Sequence, residues 1–143
     1  MHADDAHREP VHYHQPVPMI LRPWRVVAAS VRGMGHEKTG QPCQDAHCWD
    51  VLSDDILAVA VADGASSAAL GEVGAAIAAQ IAVNALRCQA ALPAWPTSDA
   101  GWRILLTEVL KATQTAVVAE AQARVVPTRD LATTLISTRL KVF

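Results

Sequence analysis

The stretch "ILAVAVADGASS", residues 56–67, decides the fold because it joins a buried strand to an acidic turn. Residues 56–62 are apolar on both faces, which predicts a central, covered β-strand. Asp63 follows at once, and an ionised carboxylate at the end of a buried strand is costly unless it is paired or binds a cation. Gly64 allows close backbone approach and offers a carbonyl oxygen, so this pair is a reasonable half-site for Mg²⁺ or Mn²⁺. The alternative is an ordinary turn in which Asp63 caps a helix that starts near Ser66.

Two strands and a glycine-rich loop are predicted upstream of this stretch. Residues 24–32 contain many β-branched side chains, which favour a strand, and residues 45–51 are interpreted as a second strand. Residues 33–42 between them contain three glycines and a proline and predict a loop. A turn at residues 53–55 then leads into the buried strand, so the second and third strands are expected to form a hairpin.

Two consecutive helices are predicted downstream of the acidic turn. From Leu70 onward, apolar residues recur at spacings of three and four, which predicts an amphipathic helix that ends before Pro93. Residues 97–99 offer N-cap side chains for a second helix, and Pro127 closes it. Residues 130–142 return to the threonines and branched aliphatic residues that are typical of a strand. The order of three strands, two helices and one further strand predicts a layered α+β fold rather than a βαβ array.

Composition and charge exclude several classes of protein. The chain has 143 residues, of which 51% are hydrophobic and 18% charged, so we expect one folded domain. The formal net charge of -2 and the lack of a basic stripe argue against nucleic acid as a partner. Three cysteines at no disulfide spacing, and a polar N-terminus without a secretory signal, predict a cytoplasmic location. The most apolar helical stretch, residues 75–86, is shorter than the roughly 20 residues that span a membrane, so no membrane partner is expected.

Residues 1–23 differ in composition from the rest of the chain. They hold four of the six histidines and four of the eight prolines, so we expect a flexible arm before a folded part at residues 24–143. His12 and His14 could chelate a transition metal, but a solvated tail is the expected state because no periodic structure surrounds them.

A second acid, Asp45, stands at the entrance to the second predicted strand. If the second and third strands form a hairpin, Asp45 and Asp63 lie at the same end of the sheet. Two carboxylates that converge there would repel each other unless a divalent cation lay between them.

Three segments in register resemble the PP2C-type, metal-dependent serine/threonine protein phosphatases. "GMGHEKTGQPCQD", residues 33–45, is similar to the first motif of a bacterial branch of that family, which reads like "GxxHxxxGxPCQD". "AVAVADGASSAALGEVGAAIAA", residues 58–79, is similar to the second motif, an apolar strand that ends in Asp-Gly before a long helix. "LATTLI", residues 131–136, is similar to the third, a Thr-Thr strand after the second helix. The resemblance covers the chain from Trp24 to its C-terminus.

The resemblance implies a fold and a metal centre. The fold is an α-β-β-α sandwich, in which two antiparallel sheets pack face to face with a helix pair on each outside. The centre is a pair of Mn²⁺ or Mg²⁺ ions, with Asp45 as a ligand to one ion, Asp63 as the bridging carboxylate and Gly64 as a backbone ligand. In such a site a metal-bridged water attacks the phosphorus of a phosphoserine or phosphothreonine. Asp45 and Asp63 are therefore the expected catalytic residues.

The resemblance also implies where this chain departs from the family. Many members bind the substrate phosphate through an arginine five positions before the equivalent of Asp45, and Gly40 stands there in this chain. His36 or Lys38 is expected to take its place as the phosphate-binding residue. The family's remaining acidic metal ligands lie in a C-terminal half beyond position 143, so we expect the N-terminal part of a truncated domain.

Two functions follow from these expectations. The first is metal-dependent hydrolysis of phosphoserine or phosphothreonine in a protein substrate by the parent domain, and this chain is then either an active part of that domain or an incomplete, inactive fragment. The alternative is a phosphatase-derived module that binds or regulates a partner without turnover. A further expectation is self-association through exposed sheet edges, since unpaired strands can pair between two copies.

Overall fold

A computed structural model describes residues 24–92 and 94–141 and has the expected α+β architecture. The first of two long helices packs on one side of a single antiparallel sheet, and the second packs against the first. The elements in chain order are α1 Met34–Thr39, β1 Asp45–Ser53, β2 Ile56–Asp63, α2 Gly71–Ala90, α3 Asp99–Arg124, a 3₁₀ turn Thr128–Leu131 and β3 Ile136–Lys141.

The sheet has the strand order β1-β2-β3, and both pairings are antiparallel. The predicted hairpin between β1 and β2 is confirmed, because β1 ends at Ser53 and β2 begins at Ile56. The central position of β2 is confirmed as well. The last predicted strand is present and pairs with the free side of β2, although it begins only at Ile136.

Successive side chains of β2 point to opposite faces of the sheet, and the two faces differ in exposure. Ala58, Ala60 and Ala62 are at most 5% exposed and pack against the alanines of α2. Val61 points to the other side and is 44% exposed. Within the described part of the chain, therefore, helices cover only one face of the strand that was predicted to be covered on both.

Close backbone contacts hold α2 against the end of the sheet. A Cβ atom built on Gly64 would lie 2.5 Å from the backbone carbon of Gly71, in the first turn of α2. A Cβ atom built on Gly74 would overlap the carbonyl group of Leu131. Both positions need glycine because real Cβ atoms do not approach backbone this closely. The helix can thus lie directly on the segments that flank Asp63.

Three local predictions were wrong. Residues 24–32 were expected to form the first strand, but the structure assigns no strand there, and Val27 and Val31 are 97% and 76% exposed. Branched side chains favour a strand only where a partner strand is available, and these residues have none among those described. Within the predicted loop, residues 34–39 form the short helix α1, which ends at Gly40 with a positive φ of 72°.

The first long helix begins at Gly71, one residue after Leu70, where the apolar pattern starts. The beginning of the last predicted strand is instead the 3₁₀ turn Thr128–Leu131. The expected arm at residues 1–23 lies outside the described residues. None of the helices in the described ranges is both long and apolar enough to cross a membrane.

Candidate metal centre

The two predicted acids face each other at one end of the sheet. Asp45 is the first residue of β1 and Asp63 the last of β2, and the register pairs their Cα atoms directly. Both side chains lie on the face that the helices leave uncovered, and both are exposed. The prediction that they share one end of the hairpin is confirmed.

Hydrogen bonds from three directions fix the backbone around Asp63. The carbonyl oxygen of Asp63 accepts from the backbone N–H of Thr134 at 2.8 Å and from the hydroxyl of Thr133 at 2.9 Å. On the other side, the N–H of Gly64 donates to the carbonyl oxygen of Gln44 at 2.9 Å, next to Asp45. These hydrogen bonds connect the C-terminal end of β2 to the residue before β1 and to the segment before β3. The positions of both acids are therefore set by the fold.

Thr133 and Thr134 are positioning residues that the sequence did not identify as part of the site. The signal was the Thr-Thr pair itself, which was used only as a landmark of the family motif. Since the two threonines lie 70 and 71 positions after Asp63, no local spacing could have linked them to it.

The structure rejects the alternative role of Asp63 as a helix cap. The nearest long helix is α2, whose N-cap residue is Leu70 and has no side-chain cap hydrogen bond. Residues 65–70 instead form a loop, in which the N–H of Ala65 donates to Ala132 and the N–H of Leu70 to Asp130. The carboxylate of Asp63 therefore does not cap α2.

A cavity of about 530 Å³ opens beside the two acids, and residues of the short helix α1 form part of its lining. Asp45, Asp63, Gly64 and His36 are among the residues that line it. Of the two expected phosphate-binding residues, the structure thus brings His36 to the cavity. Lys38 lies on the same helix and is exposed, but it does not line the cavity.

His47 is a further titratable residue near the acids. It lies two positions after Asp45 in β1, and therefore on the same face of the sheet. Its Nδ1 atom is 2.9 Å from the hydroxyl of Ser30, in the extended segment before α1. His47, Asp45 and Asp63 line a second cavity of about 490 Å³. Strand alternation could have placed His47 here, but its contact with Ser30 could not have been read from the sequence.

The donor atoms suit a hard divalent cation in type but are few in number. Two carboxylates and the carbonyl oxygen of Gly64 are the kind of ligand that Mg²⁺ and Mn²⁺ prefer. Across residues 24–92 and 94–141, however, no group of three or more His, Cys, Asp or Glu side chains could hold a metal ion. The described residues therefore do not by themselves complete the ligand set of a binuclear centre.

Comparisons with known proteins agree with the motifs. The model of the family "Protein phosphatase 2C" matches residues 32–141. "Serine/threonine-protein phosphatase 3" of Escherichia coli (strain K12) is 32% identical to the chain over 117 residues, which is 79% of this chain and 45% of the relative. The chain thus spans less than half of that relative's length. No solved structure matches the chain.

Proposed function

The chain belongs to the protein phosphatase 2C family, and on this premise we propose that its parent domain hydrolyses phosphoserine and phosphothreonine in proteins with Mn²⁺ or Mg²⁺. The observation that carries the proposal is the direct pairing of Asp45 with Asp63 at one end of the hairpin. Two exposed carboxylates in adjacent strands are an unfavourable arrangement by themselves, and a divalent cation between them removes the repulsion.

The site residues fall into two groups by their proposed role. Asp45 and Asp63 hold the metal ions together with the carbonyl oxygen of Gly64, while Thr133 and Thr134 keep the Asp63 backbone in place. A bound Mn²⁺ or Mg²⁺ lowers the pKa of its water ligand and neutralises charge on the phosphoryl oxygens.

The substrate phosphate is expected to enter the cavity beside α1. His36 lines that cavity and can donate a hydrogen bond to a phosphoryl oxygen. Lys38 is exposed on the same helix, so its ammonium group would attract the phosphate rather than hold it at a fixed position. In this proposal, His36 binds the phosphate and Lys38 has the smaller effect.

A second function is supported by the shortage of ligands. Because the described residues supply no group of three metal-binding side chains, this chain on its own is suited to binding a phosphoprotein or a partner without turnover. The two functions share the same acids and differ in whether further ligands complete the metal site.

Location and self-association are also proposals. The three cysteines are free, as expected in a reducing compartment such as the cytoplasm. In the described sheet β1 and β3 are the edge strands, and edge strands can pair between two copies. Sedimentation velocity over a range of protein concentrations tests the latter, since self-association raises the sedimentation coefficient with concentration.

The test of catalysis is Mn²⁺-dependent hydrolysis of a phosphothreonine peptide by this chain and by its Asp63→Asn variant. Asp54→Asn is the matched control, because Asp54 lies in the turn at the opposite end of the hairpin. The catalytic proposal expects activity that falls at least about 100-fold in Asp63→Asn and is unchanged in Asp54→Asn. Peptide binding without turnover, retained in both variants, would support the binding module instead. Equal turnover by all three proteins would contradict the proposed site.

A further inference from the structure

An arginine and two tryptophans form a cluster on the helix side of the sheet. Trp95 lies in the segment between α2 and α3, Trp102 in the first turns of α3, and Arg139 in β3. The two indole rings stack with their centroids 5.9 Å apart and their planes 18° from parallel. The Cζ atom of Arg139 lies 4.9 Å from the centroid of each ring. Such contacts hold a guanidinium group by cation–π attraction and fix its plane.

The N–H groups of Arg139 differ in their partners from those of Arg87 and Arg124. Arg87 and Arg124 are exposed, and each donates to a carboxylate at 2.6 Å. Arg139 is more buried than either, yet no carboxylate within the described ranges lies at ion-pair distance from it. The tryptophans satisfy the face of the guanidinium but not its N–H groups, which point outward in the plane of the group. The charge of Asp55 acts on Arg139 only from beyond ion-pair distance, so this partly buried guanidinium can bind an anion directly.

A small cavity lies next to this guanidinium. Its volume is about 250 Å³, and it is lined by Leu86, Trp102, Leu106, Ser137, Thr138 and Arg139. The two leucines and the indole form an apolar wall, whereas Ser137 and Arg139, whose side chains lie on this face of the sheet, offer polar groups. The cavity therefore combines space for a small apolar body with donors for a negatively charged end.

We propose that this cavity binds an oxyanion, a carboxylate or a phosphate, carried on a small aromatic or aliphatic group. The planar fork of N–H donors on Arg139 can bind two oxygens of such an anion at once. The site is separate from the carboxylate pair. Arg139 pairs in register with Ala58, whose side chain lies on the covered face, whereas Asp63 lies on the uncovered face. The proposal does not depend on catalysis.

The test is a titration of the ¹⁵N-labelled chain with benzoate, phenyl phosphate and the neutral analogue benzamide. It uses the Asp45→Asn/Asp63→Asn double variant in EDTA, so that neither metal binding nor hydrolysis contributes. We expect saturable shifts of the Trp95 and Trp102 indole N–H signals and of the Arg139 Nε–H signal with at least one anion. Benzamide should bind at least about 10-fold more weakly, because it lacks the charge. The stronger of the two anions identifies the carboxylate or the phosphate as the preferred group.

Substitution of the arginine gives an independent readout. Arg139→Lys keeps the positive charge but loses the planar fork, and is expected to weaken anion binding about 10-fold. Arg103→Lys is the control, since Arg103 is exposed on α3 and does not line the cavity. The proposal is overturned if benzamide binds as well as the anions, if shifts map away from the cluster, or if no ligand binds at millimolar concentration. The shift map obtained with Arg139 intact remains decisive if Arg139→Lys fails to fold.

Discussion

The two faces of the same three-stranded sheet differ in almost every respect. On the face under α2, the side chains are small: Ala58, Ala60 and Ala62 are at most 5% exposed. On the other face the side chains are larger and most are more accessible: Leu57 is 5% exposed, but Trp49 and Ile136 are 43% and 69% exposed. The face under the helix is packed as a protein interior, and the uncovered face carries the acids.

This difference separates the roles of the two faces. The alanines and the close glycine contacts let α2 lie directly on the sheet, so the covered face provides stability. The uncovered face contributes less to the stability of the described structure, because its apolar side chains remain partly in water. Its acidic end is free to bind ligands. Substitutions on the two faces should therefore have different consequences.

The largest effect on stability is expected at the position where α2 lies closest to the backbone of the 3₁₀ turn. Gly74→Ala places a Cβ atom against the carbonyl group of Leu131. Alanine is favoured over glycine in a helix by about 1 kcal/mol, but overpacking against backbone should outweigh this and give a net loss of about 3 kcal/mol. Urea denaturation measures the change in the free energy of unfolding.

Gly35→Ala is the control for this experiment. Gly35 is also helical, in α1, and nothing lies within 4 Å of the position that a Cβ atom would take there. Its substitution should leave stability unchanged or raise it slightly. If both variants unfold at the same urea concentration, the close contact between α2 and the 3₁₀ turn does not exist in solution.

An intermediate effect is expected from a pair of neighbouring residues on opposite faces. Ala60→Leu adds three carbons to a position that is fully buried under α2, and should cost about 1–3 kcal/mol of stability. Val61→Leu adds one carbon on the uncovered face and should change stability by no more than about 0.5 kcal/mol. Thermal or urea unfolding gives both values. Equal losses in the two variants would mean that the second face is buried in solution, for example by self-association.

The smallest effect on stability is expected in the turn between β1 and β2, at the end of the hairpin opposite Asp45 and Asp63. The hydroxyl of Ser53 donates to the carboxylate of Asp55 at 2.6 Å, and this bond, followed by the charges of Lys141 and Arg139, lowers the pKa of Asp55. A lowered pKa stabilises the fold above the unfolded value of 3.8, and the contribution is lost as the pH falls through the folded-state value. In Ser53→Ala the pKa of Asp55 should rise, as an NMR titration of its carboxyl carbon would show. An unchanged pKa would mean that the hydrogen bond does not form in solution.

Local sequence patterns predicted the parts of the fold that depend on local contacts. The β1–β2 hairpin and α3, whose N-cap Ser98 accepts from the N–H of Gly101, were predicted because turn and cap residues lie close to the elements they bound. The contacts of the loop before α2 were not predictable, because a distant segment accepts the hydrogen bonds of Ala65 and Leu70. The first predicted strand failed for a related reason, since no neighbouring strand in the described residues pairs with it.

In the candidate site, too, contacts set by local structure were predictable and contacts between distant segments were not. The pairing of Asp45 with Asp63 follows from the hairpin register, so the sequence was sufficient to predict it. The hydrogen bond from Thr133 to Asp63 and the contact between Ser30 and His47 join segments far apart in the chain. Only the folded structure brings those groups together.

The most direct test of the central claim, that the uncovered face carries a metal site, is Mn²⁺ binding measured by isothermal titration calorimetry. The wild-type chain, Asp45→Asn, Asp63→Asn and the Asp54→Asn control are titrated under identical conditions. We predict saturable binding by the wild type and by Asp54→Asn that is weakened at least about 10-fold in each of the other two variants. Binding of equal strength in Asp63→Asn, or no binding by the wild type, would contradict the claim.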